Sequence, residues 1–225
     1  MSVPENYVAE LAKVNQAPPI VRNWSVAKTL EDMDKAGVAT SILSPTTPQV
    51  SFTNAANARR IARESNEWVA RLSQDHPGRF GSFAMIPMQD TDTTRTIVDI
   101  VFSGTAARCP DLQFIFSHAG GTLPFLTERL VRAPIIDSKL SPRVPRGVLT
   151  ELKRFYYDTA WAMHPMALAS LTRLVDVSQI LFGSDYPYRT GEDTIKGLIE
   201  YGFSDAELKA IGRDNALRLL PRRAA

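Results

Sequence analysis

Short apolar runs alternate with longer segments of helical periodicity along most of the chain. Tyr7, Val8 and Leu11 can lie on one face of a short helix near the N-terminus. A further helix is predicted to begin after Ser25, a good N-cap residue, because Val26 and Leu30 follow it with helical spacing. Gly37 lies just past its end, where glycines commonly terminate helices. The apolar run at residues 39–43 follows directly and predicts a strand.

The alternation of strands and helices continues to the C-terminus. Further strands are predicted at residues 79–88, 112–117, 155–159 and 179–183, and further helices at residues 54–75, 94–107, 122–131 and 165–175. A closing helix begins at Ser204, with Glu207 three residues later in a capping box. Strands that alternate with helices of about ten residues or more predict a parallel sheet with helices covering it.

Charge and composition are those of an ordinary folded protein. The formal net charge is +2 and no basic stripe is present, which argues against nucleic-acid binding. The single cysteine, Cys109, excludes an intrachain disulfide and fits a reducing compartment. No apolar run approaches the ~18 residues of a transmembrane helix, and the N-terminus lacks the apolar core of a signal peptide. We therefore expect a cytoplasmic protein that does not bind membranes.

Two polar residues stand at the ends of predicted strands, where parallel α/β folds form their sites. His118 ends one strand and precedes Gly120 and Gly121, which let the backbone turn sharply and approach a ligand. It can be a general base, a metal ligand or a hydrogen-bonded histidine at a buried strand end. Asp185 ends another strand, where it can bind a cation or act as a cap or loop residue.

Other polar residues near these strand ends are weaker candidates. Asp158 can orient a histidine or accept hydrogen bonds from backbone amides, and the structural role is favoured. His164 lies in a strand-to-helix loop, and Arg189 can meet an anionic substrate or be solvated. His76 lies in a turn predicted at the opposite end of the sheet, so a structural role is expected. Catalysis by Cys109 is not expected because no base lies near it in the sequence.

Three motifs in order, FIFSHAGGTLPFLTERL, YYDTA and ILFGSDYPY, resemble the amidohydrolase-related family. The run from Val26 to Met88 resembles the early units of that family, and GRDNALRLL resembles its C-terminal helix. The family includes aminocarboxymuconate-semialdehyde decarboxylase and related aromatic-acid decarboxylases. The resemblance implies a distorted (β/α)8 barrel of the metal-dependent hydrolase type, with one divalent metal that is usually zinc.

The resemblance also implies roles for individual residues. The SHAGG histidine, here His118, lies beside the metal and moves protons, and it is a second candidate ligand. The GSDYP aspartate, here Asp185, binds the metal or helps activate its water. Asp158, His164 and Arg189 are candidates for substrate binding. The implied reaction is nonoxidative decarboxylation of a small aromatic or unsaturated carboxylic acid, with metal-dependent hydrolysis as the alternative.

Much of the family's metal site is missing from the sequence. Family members open with a strand that carries a His-x-His pair and have a later metal-binding histidine, but this chain has only three histidines and neither feature. Relative to the family, about two strand–helix units are absent after Met88. A zinc site needs about four ligands, so weak zinc binding is expected. A catalytically inactive remnant or interaction module is therefore a competing interpretation, and a flavodoxin-like binding domain is a third that lacks a phosphate loop.

The fold and domain organisation follow from these observations. We predict an α/β fold with a parallel sheet and outer helices, in an incomplete or distorted barrel, because 225 residues and five strands are too few to close the ring. One domain spans residues 1–225, with an irregular segment at 1–21, early barrel units at 26–88 and late units at 93–220. The strand ending at Met88 is predicted to pair with the strand at 114–116. Open sheet edges would favour self-association, so a homodimer is one expected assembly.

Overall fold

The computed structural model describes residues 5–43, 50, 52–85 and 93–220 of the chain. The chain forms two compact units. Of the described residues, the first unit comprises 5–43, 50, 52–85 and 185–192, and the second comprises 93–184 and 193–220. Each unit contains its own small parallel sheet and its own apolar clusters.

The described residues form helices of four to 21 residues. They are α1 (Glu5–Lys13), α2 (Pro19–Arg22), α3 (Val26–Lys35), α4 (Ala55–Asp75), α5 (Thr93–Phe102), α6 (Thr105–Arg108), α7 (Leu123–Ile136), α8 (Val148–Leu152), α9 (Pro165–Leu174), α10 (Gly191–Tyr201), α11 (Asp205–Lys209) and α12 (Asn215–Leu219). None of these described helices combines the length and apolar character that a membrane span requires.

The first unit is built on a two-stranded parallel sheet. Strand β1 (Ser41–Leu43) pairs with β2 (Phe80–Ser82), and the long helix α4 connects them. Asn54 caps α4, since its side-chain oxygen accepts a hydrogen bond of 3.0 Å from the backbone N–H of Asn57. The strands are covered by apolar residues of α3 and α4 in the cluster Met33, Leu43, Val69, Leu72 and Phe80.

The second unit is built on a three-stranded parallel sheet. Its strands are β3 (Ile115–Phe116), β4 (Tyr156–Asp158) and β5 (Ile180–Leu181), in the order β3-β4-β5. The central strand carries Tyr157, which is fully buried and donates a hydrogen bond of 2.9 Å from its hydroxyl to the carbonyl of Leu152. Burial of this phenol raises its pKa because the charged form loses its hydration.

A buried carboxylate joins α8 to the chain that enters β3. Glu151 is fully buried and forms ion pairs of 3.1 Å with Arg146 and 2.7 Å with Arg154. Arg154 also donates hydrogen bonds to the carbonyls of Ala106 in α6 and of Pro110 in the connection from α6 to β3. A buried carboxylate is stable only when paired in this way, so these contacts hold the α6–β3 connection against α8.

The parallel sheets and covering helices agree with the predicted fold class. The described part of the chain has five strands, all paired in parallel, in two sheets that do not form a closed ring. The strands lie within their predicted ranges but are shorter, with two or three residues each. The capping box at Ser204 and Glu207 is confirmed, as is the N-cap at Ser25.

Several details of the prediction are wrong. The strand predicted at 79–88 was expected to pair with the strand at 114–116. Among the described residues it forms β2 and pairs with β1, whereas β3 pairs with β4. The end of that predicted strand, from residue 86, lies outside the described residues. The helix predicted at 94–107 is interrupted by Gly104, whose φ of 78° separates α5 from α6. The segment 1–21, predicted as irregular, contains α1, and the burial of Tyr7 and Leu11 agrees with the short helix face that the sequence offered there. Helices α8 and α10 were not predicted.

Candidate active site

Polar groups meet at the C-terminal edge of the three-stranded sheet in the second unit. Because β3, β4 and β5 are parallel, the residues that follow their last positions leave the sheet on the same side. His118 follows β3 by two residues, Asp158 is the last residue of β4, and Gly183 follows β5 by two residues.

The backbone at His118 turns abruptly out of β3. His118 and Ala119 have φ values of 57° and 54°, in the left-handed region that non-glycine residues rarely adopt. Gly120 and Gly121 also have positive φ, and the carbonyl of His118 accepts a hydrogen bond of 2.8 Å from the N–H of Gly121. The imidazole of His118 is therefore carried on a tight single turn at the end of the strand.

Asp158 fastens this turn to the neighbouring strand. Its Oδ1 accepts hydrogen bonds from the backbone N–H of His118, at 2.8 Å, and from that of Ala160, at 3.1 Å. Gly183 at the end of β5 lies so close that a Cβ atom there would be 2.8 Å from Cγ of Asp158. The Asp158 carboxylate thus joins the ends of β3 and β4 beside the end of β5, as the structural interpretation of this residue predicted.

Two threonines secure the same edge, and sequence analysis did not single them out. Thr94 on α5 donates to the carbonyl of Gly120 at 3.1 Å and accepts from the backbone N–H of Thr122 at 3.0 Å. Thr159 accepts from the N–H of Gly183 at 3.0 Å and donates to its carbonyl at 3.1 Å. Both side chains are buried, and a polar residue at a predicted helix start or strand end is the sequence feature that could have drawn attention to them.

Backbone strain is concentrated after these strands. Among the described non-glycine residues with positive φ, only Asn15 lies elsewhere in the chain. The others are His118 and Ala119 after β3, Trp161 three residues after β4, and Asp185 four residues after β5. Such conformations persist only where the surrounding structure enforces them, and they cluster at functional sites.

Asp185 belongs to the first unit. It begins a turn in which its carbonyl accepts a hydrogen bond of 3.0 Å from the N–H of Tyr188, and its side chain is partly buried. Burial and, to a smaller extent, the charge of Asp32 raise the pKa of the Tyr186 phenol in this turn. Arg189, the next candidate, is exposed. A shared pocket for His118 and Asp185 stays a prediction.

The other histidines have structural contacts. His164 is the exposed N-cap residue of α9, and its Nδ1 accepts a hydrogen bond of 3.4 Å from the N–H of Met166. His76 follows α4 and packs edge-on against Phe80, the first residue of β2, with 5.8 Å between ring centroids. His76 therefore lies at the N-terminal end of its strand, opposite to the end where sites form.

Within the described residues, the side chains near the candidate site do not assemble the ligand set of a divalent metal. No group of three or more His, Cys, Asp or Glu residues in the described ranges is placed to hold a metal ion. The chain has three histidines, of which His76 and His164 have the structural contacts above. Oδ1 of Asp158 already accepts two backbone amides. A zinc centre needs three or four protein ligands, so these residues do not fit one.

Two open clefts of the second unit lie elsewhere. One, with a volume of about 520 Å³, is lined by residues of α7, α8 and the segment between them, and the other lies between α9 and the start of α11. Neither is lined by His118 or Asp158. The strained strand ends with their convergent polar groups, rather than cleft size, therefore identify the candidate site.

Comparison with known proteins gives these residues a family. Residues 91–222, more than half of the chain, match the amidohydrolase family. The chain is 26% identical over 293 aligned positions to the decarboxylase yanB of Aspergillus niger, covering 88% of this chain and 79% of that protein. It is 31% identical to the 6-methylsalicylic acid decarboxylase of Penicillium expansum, covering 70% of this chain and 45% of that protein. The chain thus spans less than half the length of the second relative.

The fold is also that of solved structures. A dihydroxybenzoic acid decarboxylase from Polaromonas sp., with bound manganese and the inhibitor 2-nitroresorcinol, superposes with a TM-score of 0.79. It is 18% identical, and the match covers 96% of this chain and 93% of that chain. The similarity of fold agrees with the sequence match to the amidohydrolase family at residues 91–222. These residues include the SHAGG turn and the end of β4. This chain belongs to the amidohydrolase family.

Proposed function

We propose that the chain's chemistry is the nonoxidative decarboxylation of a small aromatic or unsaturated carboxylic acid. The observation that carries the proposal is His118, held in a strained turn at a strand end within the region that matches the family. Both relatives named above are decarboxylases, and one acts on 6-methylsalicylic acid. Neither of these two relatives is named as a hydrolase, so decarboxylation is preferred to the alternative of metal-dependent hydrolysis.

In the proposed reaction, His118 moves the proton that replaces the carboxylate. The bond between the ring carbon and the carboxylate carbon breaks, its electron pair stays on the ring carbon, and that carbon takes the proton as neutral CO2 leaves. Histidine suits this role because its ordinary pKa lies near 6.5, so it can give and regain a proton near neutrality. Arg189 and His164 are proposed to contact the substrate, Arg189 through its positive charge.

A divalent metal, zinc by preference, is proposed as the cofactor of the complete family site. Asp185 is the proposed ligand, with His118 as a second, and a bound metal would supply Lewis-acid stabilisation of the substrate carboxylate. The relative from Polaromonas sp. holds manganese. Two ligands hold zinc weakly, and no larger set is found in the described part of the chain. The same observation favours a second candidate function, a catalytically inactive member of the family.

The decisive experiment measures CO2 release by the purified chain from 6-methylsalicylic acid and from dihydroxybenzoic acids, with and without added zinc or manganese. We expect the unmodified chain to turn over at least one of these acids. His118→Ala and Asp185→Ala should each lower that rate by at least ~100-fold. His76→Ala is the matched control, since that histidine packs on Phe80 in the first unit. No turnover on any of these acids would favour the inactive member.

We also propose a cytoplasmic location and a homodimer. The single cysteine supports the first, because disulfides are not used to stabilise the fold. The unpaired outer sides of β3 and β5 in the described three-stranded sheet support the second, since edge strands favour association. Sedimentation equilibrium of the purified chain tests the dimer, and a monomer at all concentrations would contradict it.

A further inference from the structure

We infer that Asp158 is the positioning residue of His118, acting on its backbone and not on the substrate. The inference rests on the proposed function for its catalytic consequence, and on the geometry of the second unit for its physical content. Binding of substrate by Asp158, which the family resemblance implies, stays the competing prediction.

The first step of the argument is the strain at His118. A φ of 57° is unfavourable for a residue that carries a Cβ atom, so the turn needs contacts that select it over extended backbone. The hydrogen bond of 2.8 Å from the His118 N–H to Asp158 Oδ1 is such a contact, because it is made to a charged acceptor. It fixes the peptide plane that precedes the His118 Cα, and this plane together with the φ of the turn sets the direction of the Cα–Cβ bond.

The second step is the rigidity of the acceptor itself. Asp158 is the last residue of the central strand, and its backbone neighbours Tyr157 and Thr159 are fully buried. The same Oδ1 accepts the N–H of Ala160 at 3.1 Å, which holds the carboxylate to its own turn. Gly183 leaves just enough room for this carboxylate, since any Cβ there would lie within 3.0 Å of three of its atoms. Asp158 therefore places the His118 backbone relative to the sheet.

The third step is the positional precision that proton transfer requires. A proton donor must be held within fractions of an ångström of the atom that receives its proton, and a displacement of 1 Å can cost about 100-fold in rate. On the far side of the same turn, Thr94 bonds the Gly120 carbonyl and the Thr122 N–H. Losing the Asp158 acceptor would remove the hydrogen bond that ties the His118 N–H to the end of the adjacent strand.

The test compares Asp158→Ala and Asp158→Asn with the unmodified chain. Asparagine keeps an Oδ1 acceptor for both backbone amides, whereas alanine removes it. The matched control is Asp137→Ala, which removes an Oδ1 that accepts the Lys139 N–H at 3.0 Å, just past the C-terminal end of the 14-residue helix α7. Helix α7 begins beside the SHAGG turn, so the control lies about 20 Å along the helix from it.

Two measurements are made on each variant. Amide hydrogen exchange followed by NMR is expected to show roughly 10- to 100-fold faster exchange at His118 in Asp158→Ala, much less in Asp158→Asn. Exchange at Thr159, which bonds the Leu181 carbonyl at 3.0 Å in the β4–β5 ladder, should change little. Decarboxylation is expected to fall about 100-fold in kcat for Asp158→Ala with KM nearly unchanged, and to recover largely in Asp158→Asn.

Specific results would overturn the inference. Unchanged exchange at His118 in folded Asp158→Ala would show that the bond does not hold the turn. If Asp158→Asn keeps the His118 amide protected from exchange but does not keep turnover, the carboxylate acts on the substrate by its charge. If Asp158→Ala does not fold, the Asn variant alone still decides through these readouts. If the unmodified chain does not decarboxylate, the proposed function fails, while exchange at His118 continues to test the positioning.

Discussion

The backbone N–H of His118 donates a hydrogen bond of 2.8 Å to Oδ1 of Asp158, 40 residues later in the chain and on the adjacent strand. Two motifs that appear independent in the sequence, SHAGG and YYDTA, are therefore one structural unit. The aspartate holds a strained turn, and the turn carries the histidine. This contact connects the parallel sheet directly to the residue proposed to move protons.

The close approach of Gly183 to Asp158 predicts a steric effect. Gly183→Ala would place a Cβ 2.8 Å from Cγ of Asp158 and should destabilise the fold by about 1–3 kcal/mol. The measurement is the free energy of unfolding from urea titration. Gly212→Ala is the control, because a Cβ there meets nothing within 4 Å, and it should be neutral or stabilise by about 0.5–1 kcal/mol. Equal stabilities for the two variants would contradict the packing described.

Removal of the buried Glu151 side chain should lower the free energy of unfolding substantially. Glu151→Ala leaves Arg146 and Arg154 without their shared partner, and unfolding free energy should fall by about 3 kcal/mol, the low end for a broken buried pair because Arg146 is half exposed. Glu128→Ala breaks the exposed pair with Arg132 and should cost less than about 0.5 kcal/mol. Chemical denaturation measures both. A loss for Glu151→Ala no greater than that for Glu128→Ala would rule out a stabilising role for the network.

Tyr157 predicts a loss of stability at alkaline pH. Burial raises the folded pKa of this phenol above its ordinary value of 10.0, so the folded chain keeps a proton that the unfolded chain releases. The stabilisation is therefore complete below about pH 10 and declines as pH rises toward the folded pKa, by at most ~1.4 kcal/mol per pH unit. Tyr157→Phe should reduce this slope, while costing about 1 kcal/mol at neutral pH through the lost bond to Leu152. An unchanged alkaline slope in that variant would argue against the assignment.

The incomplete ligand set predicts weak metal binding. We expect purified chain to carry well below one equivalent of zinc by elemental analysis, and decarboxylation to be slight unless zinc or manganese is in excess. About one equivalent of tightly bound metal, with turnover abolished by His118→Ala and Asp185→Ala, would mean that a complete site forms. If a second chain supplies ligands, specific activity should rise with protein concentration.

The amino-acid sequence by itself determined the order and type of most elements. Periodicity placed helices such as α4 and α9, and local capping chemistry placed the starts of α3 at Ser25 and of α11 at Ser204, because these preferences depend on neighbours within a few residues. The SHAGG and GSDYP motifs also indicated the family, which the match at residues 91–222 confirmed. Strand lengths were overestimated because apolar residues continue beyond the hydrogen-bonded ladder, as at Phe114 and Phe182.

Tertiary structure decided the strand partners and the roles of the polar residues. The sequence could not show that β2 pairs with β1 rather than with β3, since pairing depends on contacts between distant segments. Nor could it show that the Asp158 carboxylate accepts the His118 amide, or that Thr94 closes the SHAGG turn, because no local preference encodes a bond across 26 to 40 residues. Such bonds exist only once the parallel strands bring their C-terminal ends to one edge, and that convergence is a property of the folded sheet.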